Sequence, residues 1–185
     1  MADDLKYGNC GLRTWTGDNM GYEYGAIGND LYGACARSSD DDYYYNYQAA
    51  VQDQSAYNGV DYQPSEPRQG ICPAGWYLPT AFGSTDSIKA LAEKIEVSNG
   101  RAELLEFLRP GGNWKNRGYT GYWTGEGRYS WKGELAVWAT SGGHSTDATY
   151  RTYNTFYIAS PDSEYVFSQG NIGRSWGILV RCFKQ

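Results

Sequence analysis

Four cysteines spread along nearly the whole chain are the feature that most limits what it can fold into. Cys10, Cys35, Cys72 and Cys182 stand so far apart that no two are separated by two to four residues. That spacing excludes a CxxC redox motif or a zinc-finger pair. His144 is the single histidine, so a structural zinc site also lacks ligands. Four cysteines allow three pairings, and the spacing leaves all three open. If they pair, the protein is exported to an oxidising compartment; the alternative is four reduced, buried thiols in a cytosolic protein. With export, a leader or anchor is expected outside this sequence, because Met1-Ala2-Asp3-Asp4 has neither the basic nor the apolar part of a signal peptide.

The 185 residues suit one domain spanning 1–185 with a core of its own. Glycine supplies 24 positions, and Tyr 18, Trp 7 and Phe 5 make the chain heavily aromatic. Glycine brings freedom at positive φ and tyrosine brings amphipathic rings, a combination for a loop-rich domain rather than an all-helical one. The formal charge is −5 with no basic cluster, which argues against a direct nucleic-acid partner, since phosphate binding needs a Lys/Arg footprint. No apolar run approaches the roughly 18 residues of a membrane-spanning helix.

Residues 1–70 are poorly periodic, and Asp40-Asp41-Asp42 is followed by Tyr43, Tyr44, Tyr45 and Tyr47. Gln48-Ala49-Ala50-Val51 then reads as a short helix, and Pro64, Pro67 and Gly70 punctuate a loop. A clearer helix starts near Ser84, which can cap it; Asp86 suits its positive end, and Ile88, Leu91, Ala92 and Ile95 share one face. A second runs from about Arg101 through Leu104, Leu105, Phe107 and Leu108 to a stop at Pro110. From Gly111 the pattern changes to short strands between turns: 111–114, 122–123, 135–139, 155–158, 165–167 and 178–182.

The run Cys72-Pro73-Ala74-Gly75-Trp76-Tyr77-Leu78-Pro79-Thr80, with Leu179-Val180-Arg181-Cys182 near the end, resembles the Fibrobacter succinogenes major paralogous domain family. Arg13 to Met20 is similar to that family's opening strand, Tyr47 stands where its Trp is usual, and Asp40 to Asp42 resembles an insertion. Val137-Trp138-Ala139-Thr140-Ser141 resembles its aromatic–Trp–Ser–Ser–Thr strand. The likeness is loose before residue 70 and strong from 71 to 182. It implies an α+β domain of C-type lectin-like fold, two helices flanking small twisted antiparallel sheets with long loops, on a bacterial surface. Residues 1–70 would be its loop-rich N-terminal part and 71–185 its core and C-terminal binding face. It also implies the disulfides Cys72–Cys182 and Cys10–Cys35. Closing the larger loop would contribute about 4–5 kcal/mol in the chain-entropy model.

Catalytic equipment is thin. His144 sits among Ser141, Ser145 and Asp147, but sequence neighbours rarely have triad geometry, and a flexible polar loop is the better account. No HExxH, nucleophile elbow or P-loop occurs. The calcium-and-sugar motifs of C-type lectins are also missing, since Asn113-Trp114 is followed by Lys115. Asp40, Asp41 and Asp42 are read as a solvated acidic loop rather than a Ca²⁺ site, so no metal and no cofactor is expected.

Between Gly118 and Trp176 the chain is dense in rings and adaptable polar groups, the composition of antibody paratopes. The expected binding face comprises Tyr119, Tyr122, Trp123, Tyr129, Trp131, His144, Tyr150, Arg151, Tyr153, Asn154, Asn171, Arg174, Ser175 and Trp176. Its alternative is a core role for several of these rings, as expected for Trp76, Trp114 and Trp138. Variable proteins of diversity-generating retroelements share the lectin-like fold and vary such a C-terminal stretch, so the resemblance extends to a diversified receptor. The expectation is therefore a non-enzymatic, surface-displayed or secreted binding protein of the adhesin type, with a protein or carbohydrate ligand. The alternatives are an enzyme of the formylglycine-generating branch and a pilin-like or surface-coat subunit.

Overall fold

Gly177, Ile178 and Leu179 hold the architecture together because successive residues bond to different neighbours. The computed structural model describes residues 4, 6, 35–37, 40, 42–52, 68–80, 90–91, 93, 106–107, 109, 111–112, 114, 118–124, 129–143, 152–159, 167–174 and 176–184. Strand β1 (Cys35–Arg37) pairs antiparallel with β2 (Tyr43–Tyr45), Cys35 opposite Tyr45. Tyr45 exchanges both backbone hydrogen bonds with Ile178, at 2.8 and 3.0 Å. One residue on, Ala139 N–H donates to the Leu179 carbonyl at 2.9 Å, inside the long strand β6 (Leu135–Gly143). The C-terminal segment thus joins the first hairpin to the main sheet.

That main sheet has the order β6–β7–β8, with β7 (Thr152–Ala159) central and β8 (Phe167–Gly173) on the far side. Both pairings are antiparallel, and the β6–β7 register shifts between Ala139 and Gly143. Two further two-stranded pairs complete the set: β3 (Trp76–Tyr77) with β9 (Phe183–Lys184), and β4 (Tyr122–Trp123) with β5 (Tyr129–Ser130). Among the described residues the molecule is therefore sheet-rich, with small antiparallel sheets and one short helix described along its whole length.

The helix, α1 (Tyr47–Val51), falls where the sequence places one. Asn46 caps it by accepting from Ala49 N–H at 3.0 Å, and Gln52 ends it in the left-handed region at φ 54°. All five of its residues are buried. Gly70 packs so closely that a Cβ there would lie 2.3 Å from the Ala50 carbonyl oxygen, which accepts instead from Ile71 N–H at 2.9 Å. The helices expected from Ser84 and Arg101 lie largely outside the described residues, within which Ala90, Leu91, Glu93, Glu106 and Phe107 are helical.

Two strand expectations are corrected. Gly111, Gly112 and Trp114 lie in turns, because the Gly112 and Trp114 N–H groups donate to the Arg109 and Phe107 carbonyls and Gly111 takes φ 81°. Of the strand expected at 178–182, Ile178 and Leu179 make single bridges to two different neighbours instead of one continuous ladder, and Phe183–Lys184 forms the strand that follows. Of the strand expected at 165–167, Phe167 stands in β8, whose seven residues pair with β7, and Tyr165 and Val166 lie outside the described residues.

Among the described residues, two buried clusters form the core. One gathers α1, Cys35, Tyr45, Leu78, Val137, Ala139, Ile178, Val180 and the Cys72–Cys182 disulfide. Cys35 is also disulfide-bonded; its expected partner Cys10 lies outside the described residues. The second centres on Trp114, edge-on to both Trp138 and Phe156 at 5.8 Å, while Trp138 and Phe156 stack at 5.2 Å. Arg181 is fully buried over both indoles, 4.6 Å from the Trp114 ring and 5.1 Å from Trp138. Its charge is met by Asp4, whose Oδ1 lies 2.6 Å from the guanidinium and accepts from Trp138 Nε1 at 2.7 Å. Trp114 and Trp138 are thus core residues, as expected, whereas Trp76 is only half-buried.

Candidate functional site

The turn between β5 and β6 presents the candidate site. Trp131 is the one large hydrophobic side chain exposed among the described residues, at 51%. Its backbone takes φ 61°, a region that a bulky residue enters only at a cost of about 1–3 kcal/mol. The turn imposes that conformation, because the Trp131 carbonyl accepts from both Glu134 and Leu135 N–H at 3.0 Å. The indole in turn hydrogen-bonds the Tyr122 side chain, with the N–H donating. Tyr122 stacks on Trp176 at 5.1 Å and 14° between ring planes. Burial raises the Tyr122 phenol above its ordinary pKa, and the Trp131 hydrogen bond draws it part of the way back.

Beside this ladder lies a cleft of about 400 Å³ lined by Asp40, Asp42, Gly118, Tyr119, Thr120, Lys132 and Gly133. Its walls are tied together by backbone. Gly133 N–H donates to the Tyr119 carbonyl and Gly121 N–H to the Leu135 carbonyl, both at 2.7 Å. A Cβ on Gly121 would stand 2.4 Å from the Ser130 carbonyl oxygen and 2.8 Å from Lys132 N. The hairpin carrying the two aspartates is pinned to the same floor, because the buried Tyr44 hydroxyl donates to the Thr120 carbonyl at 3.0 Å. Across the mouth, Lys132 Nζ meets Asp40 Oδ2 at 2.6 Å, with both side chains more than half exposed.

The expected binding residues divide. Tyr119, Tyr122, Trp123, Trp131 and Trp176 converge here; Trp123 brings in the C-terminal segment by exchanging two 2.9 Å backbone bonds with Gly177. Tyr129 stands in β5, Tyr153 and Asn154 stand in β7, and Asn171 is an exposed residue of β8. His144, Tyr150, Arg151 and Ser175 lie outside the described residues. Arg174 departs from expectation: it is 1% exposed, with its guanidinium over the Tyr47 ring at 5.4 Å, so it belongs to the core.

The acidic loop also departs from expectation. Asp42 is only 6% exposed, Asp40 is exposed but pairs with a lysine 92 residues away, and Asp41 lies outside the described residues. Asp40, Asp42, Thr120 and Lys132 are the site residues that sequence reasoning missed. Their only signal was the acidic run, and nothing local pairs it with the Trp131-Lys132-Gly133 turn.

No three His, Cys, Asp or Glu side chains among the described residues converge on a point that could hold a metal ion. No helix among them is long and apolar enough to cross a membrane. The Cys72–Cys182 disulfide fits an oxidising, extracellular environment. Comparison with protein-family models, curated proteins and solved structures finds no match to the chain.

Proposed function

We propose that this chain is a non-enzymatic binding protein of C-type lectin-like fold, displayed on a cell surface or secreted, that holds its ligand on the face around Trp131. The observation that carries this reading is Trp131 itself. An exposed indole is held in an unfavourable backbone region and braced by Tyr122, which is stacked on Trp176. Backbone strain concentrates where a site over-determines geometry, and a rigid aromatic binds at low entropic cost. The disulfide supports the extracellular setting. A receptor diversified by a retroelement is the finer form of this proposal, with exposed positions such as Asn171 free to vary and buried Arg174 excluded. Comparing the gene with a nearby template repeat tests that form, since mismatches outside template adenines would sink it.

The reading is tested by screening the protein and its Trp131→Ala variant against immobilised glycans and extracellular proteins. At least one ligand should bind the native protein and lose about tenfold or more in affinity with Trp131→Ala, the behaviour of an aromatic hot spot. Near-ultraviolet circular dichroism verifies that the variant is folded. Binding that is indifferent to Trp131→Ala, or no binding at all, counts against the proposal.

A further inference from the structure

The cleft beside Trp131 has a charge and a shape that select among ligands. We infer that it takes a cationic group, the ammonium or guanidinium of a lysine or arginine side chain on a protein partner; this rests on the binding reading and names the partner's chemistry. Five observations carry it. Two carboxyl groups and one ammonium line the cleft, a formal charge of −1, in a chain whose formal charge is −5. Anions are therefore repelled and cations drawn in. Its volume of about 400 Å³ suits a small group rather than a whole polypeptide segment.

The molecule already shows the pose of such a guest. Lys132 Nζ sits 2.6 Å from Asp40 Oδ2 at the mouth. With both side chains more than half exposed, the pair is of the kind worth little in water. An incoming cation can displace Lys132 at small cost and take over its carboxylate. A guanidinium gains more from the exchange than an ammonium does, because it meets a carboxylate with two parallel donors. Lys132 is then an internal competitor whose removal frees the site.

Ring faces supply the remaining attraction. Tyr119 lines the cleft, and Trp131 is the residue next to Lys132, exposed on the same turn. Aromatic faces attract cations, tryptophan most strongly. The fold uses this chemistry internally, with Arg181 over Trp114 and Trp138 and Arg174 over Tyr47. The walls are preorganised as well, because the Gly121 contact, the two 2.7 Å backbone bonds and the Tyr44 hydroxyl bond link floor, turn and hairpin. Little ordering cost remains for binding to meet.

The test is calorimetric titration of the full chain and its Asp40→Asn and Lys132→Ala variants with acetyl-arginine amide. Its near-isosteric neutral counterpart, acetyl-citrulline amide, and glucose are titrated in parallel. The arginine probe should bind, weaken by about tenfold in Asp40→Asn, as expected for loss of a charged hydrogen-bond partner, and tighten several-fold in Lys132→Ala. Both substituted side chains are exposed, and unchanged thermal unfolding shows that the variants fold. Equal binding of the citrulline probe, preference for glucose, indifference to Asp40→Asn, or no arginine binding even in Lys132→Ala would each overturn the inference. If the ligand screen meanwhile yields a partner that depends on Trp131 but not on Asp40, only the cationic assignment fails. If no Trp131-dependent partner exists, the binding reading falls with it.

Discussion

At the scale of single residues, the molecule places charge where rings and backbone can hold it. Arg181 is tolerated in the core because Asp4 Oδ1, the Trp114 carbonyl and two indole faces meet its charge and its donors. Removing one partner of a buried pair leaves the other uncompensated, so Asp4→Ala should cost about 3–5 kcal/mol in urea unfolding. Tyr122 makes a second, pH-dependent contribution. Its pKa lies above the ordinary 10.0 because burial disfavours the phenolate. That stability is present below pH 10 and is lost as the pH rises through the raised value. Unfolding measured from about pH 9 to pH 12 should therefore show a decline that Tyr122→Phe reduces. Trp131→Phe, lacking the indole N–H, should extend the decline to higher pH without changing where it begins.

At the scale of elements, the turn from Ser130 to Glu134 depends on a backbone approach that only glycine permits. Gly121 combines φ 66° with contacts of 2.4 to 3.1 Å from an added Cβ to the turn's backbone. Gly133 has φ 87° but open space around it. Gly121→Ala should thus cost at least about 2 kcal/mol and loosen the cleft, whereas Gly133→Ala should cost only about 1 kcal/mol of backbone strain. Equal losses in thermal unfolding of the two variants would mean that the close approach contributes nothing. Helix α1 shows the opposite balance. Five residues form no stable helix alone, so its cap at Asn46 and its complete burial sustain it.

At the scale of the whole molecule, the last eight described residues act as the closure. They bridge β2 to β6 through Ile178 and Leu179, pair with β3 through Phe183, and carry Cys182 into its disulfide with Cys72. That bond spans 110 residues of sequence, and constraining so long a loop contributes about 4–5 kcal/mol in the chain-entropy model. The double variant Cys72→Ala/Cys182→Ala should lose stability of that order in urea. A loss below about 1 kcal/mol would mean that the C-terminal segment is held by its backbone bridges alone.

Much of the local structure was legible in the sequence, and for local reasons. The short helix read at 48–51, the strands at 122–123, 135–139 and 155–158, and the core roles of Trp114 and Trp138 follow from side-chain period, apolar runs and turn residues. Those signals act over a few residues, so a sequence carries them whole. The site was legible only as a composition rich in rings. Tertiary structure alone decided that Arg174 is buried, that Asp4 answers Arg181 across 177 residues, and that Asp40 faces Lys132 across 92. A charge read in sequence counts as solvated until a partner is known. Partners so distant meet only once the chain is folded, through the bridges of Gly177, Ile178 and Leu179 and the Tyr44 hydroxyl bond to the Thr120 carbonyl.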